Sequence, residues 1–147
     1  MTTQKTLYVT QPVIDCLAAS DATRAAVAKA TEIGVRINVA VLDRSGLLVS
    51  FLRMPGAPLH SHDIAIDKAY TAVSFGLPTN LWNDELKTHS EGVQKGLVLR
   101  PRFTIFGGGL PIHVNGELIG GIGVSGASEA QDAQCAQAGL TAIGLGN

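Results

Sequence analysis

Charged side chains are scarce in this 147-residue chain, at 16% of the total, well under the usual quarter. Eleven Lys and Arg stand against twelve Asp and Glu, for a formal charge of −1. The cations are scattered, so there is no basic stripe for nucleic acid and no basic amphipathic segment for a membrane surface. No apolar run approaches the roughly 18 residues that span a bilayer. The opening MTTQKTLYVTQP lacks an apolar signal-peptide core, so the cytoplasm is the expected location. Cysteine is limited to Cys16 and Cys135, far apart in the chain. They read as free thiols rather than a disulfide framework. Also missing are Ser-His-Asp, HExxH, CxxC, GxGxxG and Walker patterns, which disfavours standard hydrolase, zinc-protease, redox-thiol and nucleotide chemistry. A cofactor-free proton-transfer enzyme, which needs only one or two well-placed groups, stays open.

What is present is apolar: 46% of the residues are hydrophobic. The length suits one domain, residues 1–147, able to bury a core without staples. A low-charge surface on a small domain is expected where other subunits cover it, so a homo-oligomer is expected.

Thr10 and Pro12 suggest the start of a helix that runs to Ile33 and stops at Gly34. Alternation through VRINVAVL then predicts a strand, DRSG a turn, and LLVSFLR the returning strand of a hairpin. MPGAP is a loop. Ser61 is placed to cap a helix over His62–Phe75, and Thr79 a short one over Asn80–Lys87. Residues His89 to Arg102, with Gly92, Gly96 and Pro101, read as a long loop. Three strands are expected next, Phe103–Phe106, Leu110–Val114 and Glu117–Val124, the last two joined by an Asn115-Gly116 type I′ turn. Ser128-Glu129-Ala130-Gln131 is a capping box that opens the final helix. No βαβ crossover pattern occurs, so the sheet should be largely antiparallel with helices packed on it.

Several residues stand out chemically. Ile64, Lys68, Thr71 and Phe75 share one helix face. A lysine on that apolar face either snorkels to solvent, pairs with Asp63, Asp67 or an anionic ligand, or serves as a base with a lowered pKa. His60 and His62 flank Ser61. Two positions apart they face differently if both are helical, but with His60 in the loop they converge on a metal or haem iron. His89 stands four residues after Glu85, and His113 alternates with apolar neighbours on a strand. Gly107-Gly108-Gly109 lacks the Gly-Lys-Ser/Thr and the helix of a phosphate loop. It marks either close backbone packing or contact with a ligand or subunit. Gly120, Gly121 and Gly123 strip side chains from the last strand. Either a helix packs close there or a cavity remains for a flat ligand.

The blocks SHDIAIDKAYTAVSFGLPT (Ser61–Thr79) and GGGLPIHVNGELIGGIGVSGASEAQDAQCAQAGL (Gly107–Leu140) resemble the GlcG/HbpS family, also found as the C-terminal part of PduO-type proteins. The resemblance runs from about Leu7 to Leu145. It implies a single α/β (α+β) domain: an antiparallel sheet of about five strands flanked by helices, in profilin- or PAS-like layers, assembled into oligomers. It also implies a haem- or corrinoid-related role, with haem degradation in some members. Arg53 precedes MPGA where similar proteins carry an Arg-Met-Asp-Gly-Ala-like stretch. Pro55 replaces that Asp, so its carboxylate is absent, and His60-Ser61-His62 also departs from the pattern. Three functions follow as expectations. The first is a haem-binding, haem-degrading protein with iron on His60 or His62, propionates near Arg53 or Lys68, and Thr71 and Gly107–Gly109 lining the cofactor. The second is an enzyme on a small hydroxylated or carboxylated metabolite, with Lys68 as acid/base and Arg53 as anion anchor. The third is a non-catalytic assembly module whose glycines serve subunit packing.

Overall fold

The computed structural model describes residues 3–146. Residues 3–15 form no regular element; the first helix, α1 (Cys16–Ile33), starts later than Thr10 and Pro12 suggest. Its N-cap is Asp15, whose carboxylate accepts the Leu17 N–H, and its stop is Gly34 at φ 76°, as expected for a left-handed C-cap. The buried face is almost all alanine, Ala19, Ala22, Ala26 and Ala30, which lets neighbours approach closely.

Strands β1 (Asn38–Asp43) and β2 (Leu48–Arg53) form the expected hairpin. Helix α2 (Ser61–Phe75) follows, then a 3-10 turn over Thr79–Leu81, α3 (Trp82–Leu86) and α4 (Glu91–Leu97). The last of these falls inside the expected loop. Ser90 accepts the Val93 N–H there and Lys95 pairs with Glu91 one turn back, so local capping and an i,i+4 pair override two glycines. Strands β3 (Gly109–Val114) and β4 (Glu117–Ser125) precede α5 (Glu129–Ala142), which opens on the expected capping box at Ser128.

The sheet is antiparallel with order β2-β1-β4-β3. It therefore has four strands rather than five. Phe103–Phe106 pairs with nothing in the sheet. Its alternation comes instead from packing on α2 and α3, with Phe103 against Phe75 and Trp82 and the Thr104 N–H bonded to Thr71 Oγ1.

Helices α1 and α5 cover one face, burying Val39, Val41, Ile112, Ile122 and Val124. Helix α2 covers the other, over Ala40 and Leu42. It comes unusually near because Gly121 and Gly123 carry no side chains. A Cβ on Gly123 would overlap the Ala65 carbonyl oxygen and lie 2.5 Å from the Ala69 nitrogen. These glycines serve close helix packing within one chain.

Both cysteines are free, Cys16 exposed and Cys135 buried. Burial, with Asp132 nearby, pushes the Cys135 thiol up to about 11. Only about one molecule in a thousand would carry that thiolate at pH 8, and the thiolate is the reactive form. Native protein should therefore react rapidly with one equivalent of a thiol reagent and with two after denaturation. Two rapid equivalents in the native state would contradict this burial.

Candidate functional site

Two groups of candidate residues sit on α2, one at its start and one midway. At the start, the chain enters the helix through a network tied to β1 and β2. Asn38 is fully buried; its amide donates to Ser61 Oγ at 2.6 Å and its carbonyl oxygen accepts from Arg53 Nη1 at 3.2 Å. Arg53 Nη2 donates to the Ala57 carbonyl at 2.6 Å. The arginine thus clamps the loop 54–58 while keeping an exposed flank. Ser61 is the first helical residue, and its hydroxyl donates to the Pro58 carbonyl.

This clamp sets the two histidines. His60 occupies the N-cap position at φ −60°, ψ −28° and is exposed. Its backbone is therefore helical, and it offers no side-chain cap. The His62 ring packs on Phe51 of β2, centroids 4.6 Å apart, with Nδ1 2.9 Å from Asp63 Oδ1. No hydrogen bond among the described residues engages its Nε2. A carboxylate on one ring nitrogen fixes the tautomer and leaves the other as an oriented ligand. Among the described residues no three His, Cys, Asp or Glu side chains gather to hold a bare metal ion.

Midway along α2 lies Lys68, 1% exposed. It does not snorkel, and its partner is neither Asp63 nor Asp67. Its Nζ donates to Asp132 Oδ2 of α5 at 3.0 Å and to the Val124 carbonyl at 2.8 Å, and lies 5.0 Å from the Phe106 ring centroid. Asp63 is taken by His62 and Asp67 by Arg102. Asp132, also buried, accepts the Ala127 N–H on its other oxygen. Burial pulls the Lys68 ammonium below the ordinary lysine value and pushes the Asp132 carboxyl above the ordinary aspartate value, against their mutual attraction. Residue spacing alone does not single out Asp132, although a signal exists. It stands three and four residues before Cys135 and Ala136, an acid on the buried face of α5 that mirrors the lysine on the buried face of α2.

The triple glycine wraps this pair. Gly108, at φ 126°, would with any Cβ strike the Val124 carbonyl and Lys68 Nζ. Gly107 N–H donates to Glu129 Oε1 at 2.8 Å, and Gly109 N–H to Thr79 Oγ1 at 2.9 Å. Thr71 is buried; its Oγ1 donates towards the Asp67 and Arg102 carbonyls and accepts from Thr104 N–H. It anchors the 102–104 segment to α2.

Known proteins share this architecture. An uncharacterized 15.0 kDa protein from the dhaT-dhaS intergenic region of Citrobacter freundii is 37% identical over 127 residues, 86% of this chain and 89% of that protein. The crystal structure of Klebsiella pneumoniae protein ORFY superposes with a TM-score of 0.87 at 34% identity, covering 96% of this chain and 97% of the other. The PduOC:heme complex superposes with a TM-score of 0.83, also at 34% identity, over 91% and 97% of the two chains. The model of the family described as haem degrading protein HbpS-like matches residues 14–141. By that match and by the shared fold, this chain belongs to the HbpS-like family.

Proposed function

We propose that this protein binds haem at the start of α2, with His62 Nε2 as the iron ligand, and acts as a cytoplasmic homo-oligomer. The observation that carries the reading is the oriented imidazole: Nδ1 held by Asp63, the ring packed against Phe51, and Nε2 unengaged. The residues around it suit a porphyrin. Leu59, three residues before His62, exposes apolar surface at 83%. Arg53 supplies a cation for a propionate, and His60 lies within two residues. The 34%-identical PduOC:heme complex supports the ligand class. Bound haem would supply the redox chemistry of its iron; the chain's part is to ligate, orient and shield it.

The surface at His62 is open, so a second copy is the natural cover for the outer side of a planar ligand. The exposed apolar residues Leu7, Tyr8, Val13 and Leu17 add further surface for assembly. Two free cysteines are in keeping with a reducing compartment.

Titration with haemin is expected to give a saturable, shifted Soret band that is lost in His62→Ala and retained in the charge-neutral Lys68→Met/Asp132→Asn, because the Lys68 ammonium is spent on Asp132. A wild-type spectrum in His62→Ala would overturn the assignment. Adding ascorbate in air reads degradation directly, as bleaching faster than that of free haemin. Light scattering should give a mass well above the 15.3 kDa of one chain.

A further inference from the structure

At the opposite end of α2 from the histidines, the backbone of Arg102 is in the left-handed region, at φ 66°. For a long side chain this is a strained conformation, and such strain persists only where surroundings hold it. Three contacts do so here. The Arg102 carbonyl accepts from Thr71 Oγ1 at 2.9 Å, its Nε lies 3.3 Å from Asp67 Oδ1, and its guanidinium lies 3.6 Å from the Tyr70 ring centroid. The result is a guanidinium laid on an aromatic ring at the mouth of a cleft of about 190 Å³.

The cleft is lined by the apolar Phe75, Leu97 and Phe103 and by the cationic Arg100 and Arg102, together with Ser74. An adjoining cleft shares Tyr70 and Ser74 and adds Arg44. Among the described residues no Asp or Glu lines either cleft, and neither Arg44 nor Arg100 takes part in a salt bridge. Asp67 offsets one of three guanidinium charges. The cluster therefore has unspent positive charge beside a small apolar recess. A planar guanidinium with free Nη donors matches a carboxylate in bidentate geometry.

We propose that this cleft binds a small apolar monocarboxylate, with the carboxylate on Arg100 and Arg102 and the hydrocarbon body against Phe75, Leu97 and Phe103. The volume suits a ligand the size of phenylacetate. The site is separate from the histidine end of α2, about ten residues along the helix.

The test is a titration of the full chain with sodium phenylacetate, followed by amide NMR shifts and calorimetry, with benzyl alcohol as the uncharged comparison. Saturable binding at about 1 mM or tighter is expected, with shifts centred on Tyr70, Ser74 and Arg102 and little response to benzyl alcohol. Arg102→Gly removes the guanidinium while accepting the positive φ. It should weaken phenylacetate at least about tenfold. Arg100→Gln gives a second reading should Arg102→Gly disturb the loop. His62→Ala, which tests the haem reading, should leave phenylacetate binding unchanged. No saturation at millimolar phenylacetate, equal binding of benzyl alcohol, or unchanged affinity in both arginine variants would overturn the proposal.

Discussion

Asp132→Ala is expected to destabilise the fold by about 3–5 kcal/mol, the range for removing one partner of a buried ion pair. Lys68 would be left at 1% exposure with the Val124 carbonyl, the Phe106 ring and the weaker attraction of the Glu129 carboxylate. The Ala127 N–H would also lose its acceptor. Most of the loss should come back in Lys68→Met/Asp132→Asn, because the cost lies in the uncompensated charge and the neutral amide still accepts from Ala127. Urea denaturation of the three proteins checks this, and a loss below about 1 kcal/mol in Asp132→Ala would refute it.

The same pair makes a pH prediction. A carboxyl raised above its ordinary 3.8 holds its proton longer folded than unfolded, so its contribution to stability falls as pH climbs through that window. An ammonium lowered below 10.5 binds fewer protons folded than unfolded just beneath that value, so its contribution rises there. Relative to the neutral double variant, wild-type stability should therefore decline above about pH 4 and recover towards pH 10. A flat difference across that range would count against burial as the dominant effect.

Gly123→Ala is expected to cost at least the ~1–3 kcal/mol of an overpacked core, and to shift or detach α2. The added methyl would land on the Ala65 carbonyl and the Ala69 nitrogen. Both are main-chain atoms of a helix, so no side-chain rotation relieves the overlap. Gly96→Ala is the contrasting substitution. It lies within α4, at no positive φ, and a Cβ there would have nothing within 4 Å, so alanine should stabilise it by about 0.5–1 kcal/mol. Chemical denaturation midpoints decide both. If Gly123→Ala unfolds where wild type does, α2 does not depend on the bare strand.

Local chemistry is legible in the residues. The β1–β2 hairpin, the Asn115-Gly116 turn, the Gly34 stop and the Ser128 capping box are each set by neighbours within a few residues, so their patterns survive in the sequence alone. The start of α1 is not legible in the same way. Thr10 and Pro12 are good local signals, yet only Asp15 is followed by packed helix. Phe103–Phe106 has the alternation of a strand, but a strand needs a partner ladder. Here the alternation is used to lay Phe103 on Trp82 and Phe75 and to hang the backbone from Thr71.

By itself the sequence determined the element types, the antiparallel sheet flanked by helices, and the family, because periodicity, turn chemistry and two glycine-marked blocks are local properties. It also flagged Lys68 as out of place on an apolar helix face. Only the tertiary structure decided that the partner of Lys68 is Asp132, 64 residues away. It likewise decided that Gly121 and Gly123 admit α2 rather than a ligand, and that Arg102 bends back to lie on Tyr70. The reason is the same in each case. Which charges meet, and which backbones touch, depends on how α2 and α5 settle across opposite faces of one sheet, and neither helix encodes that separation within its own residues.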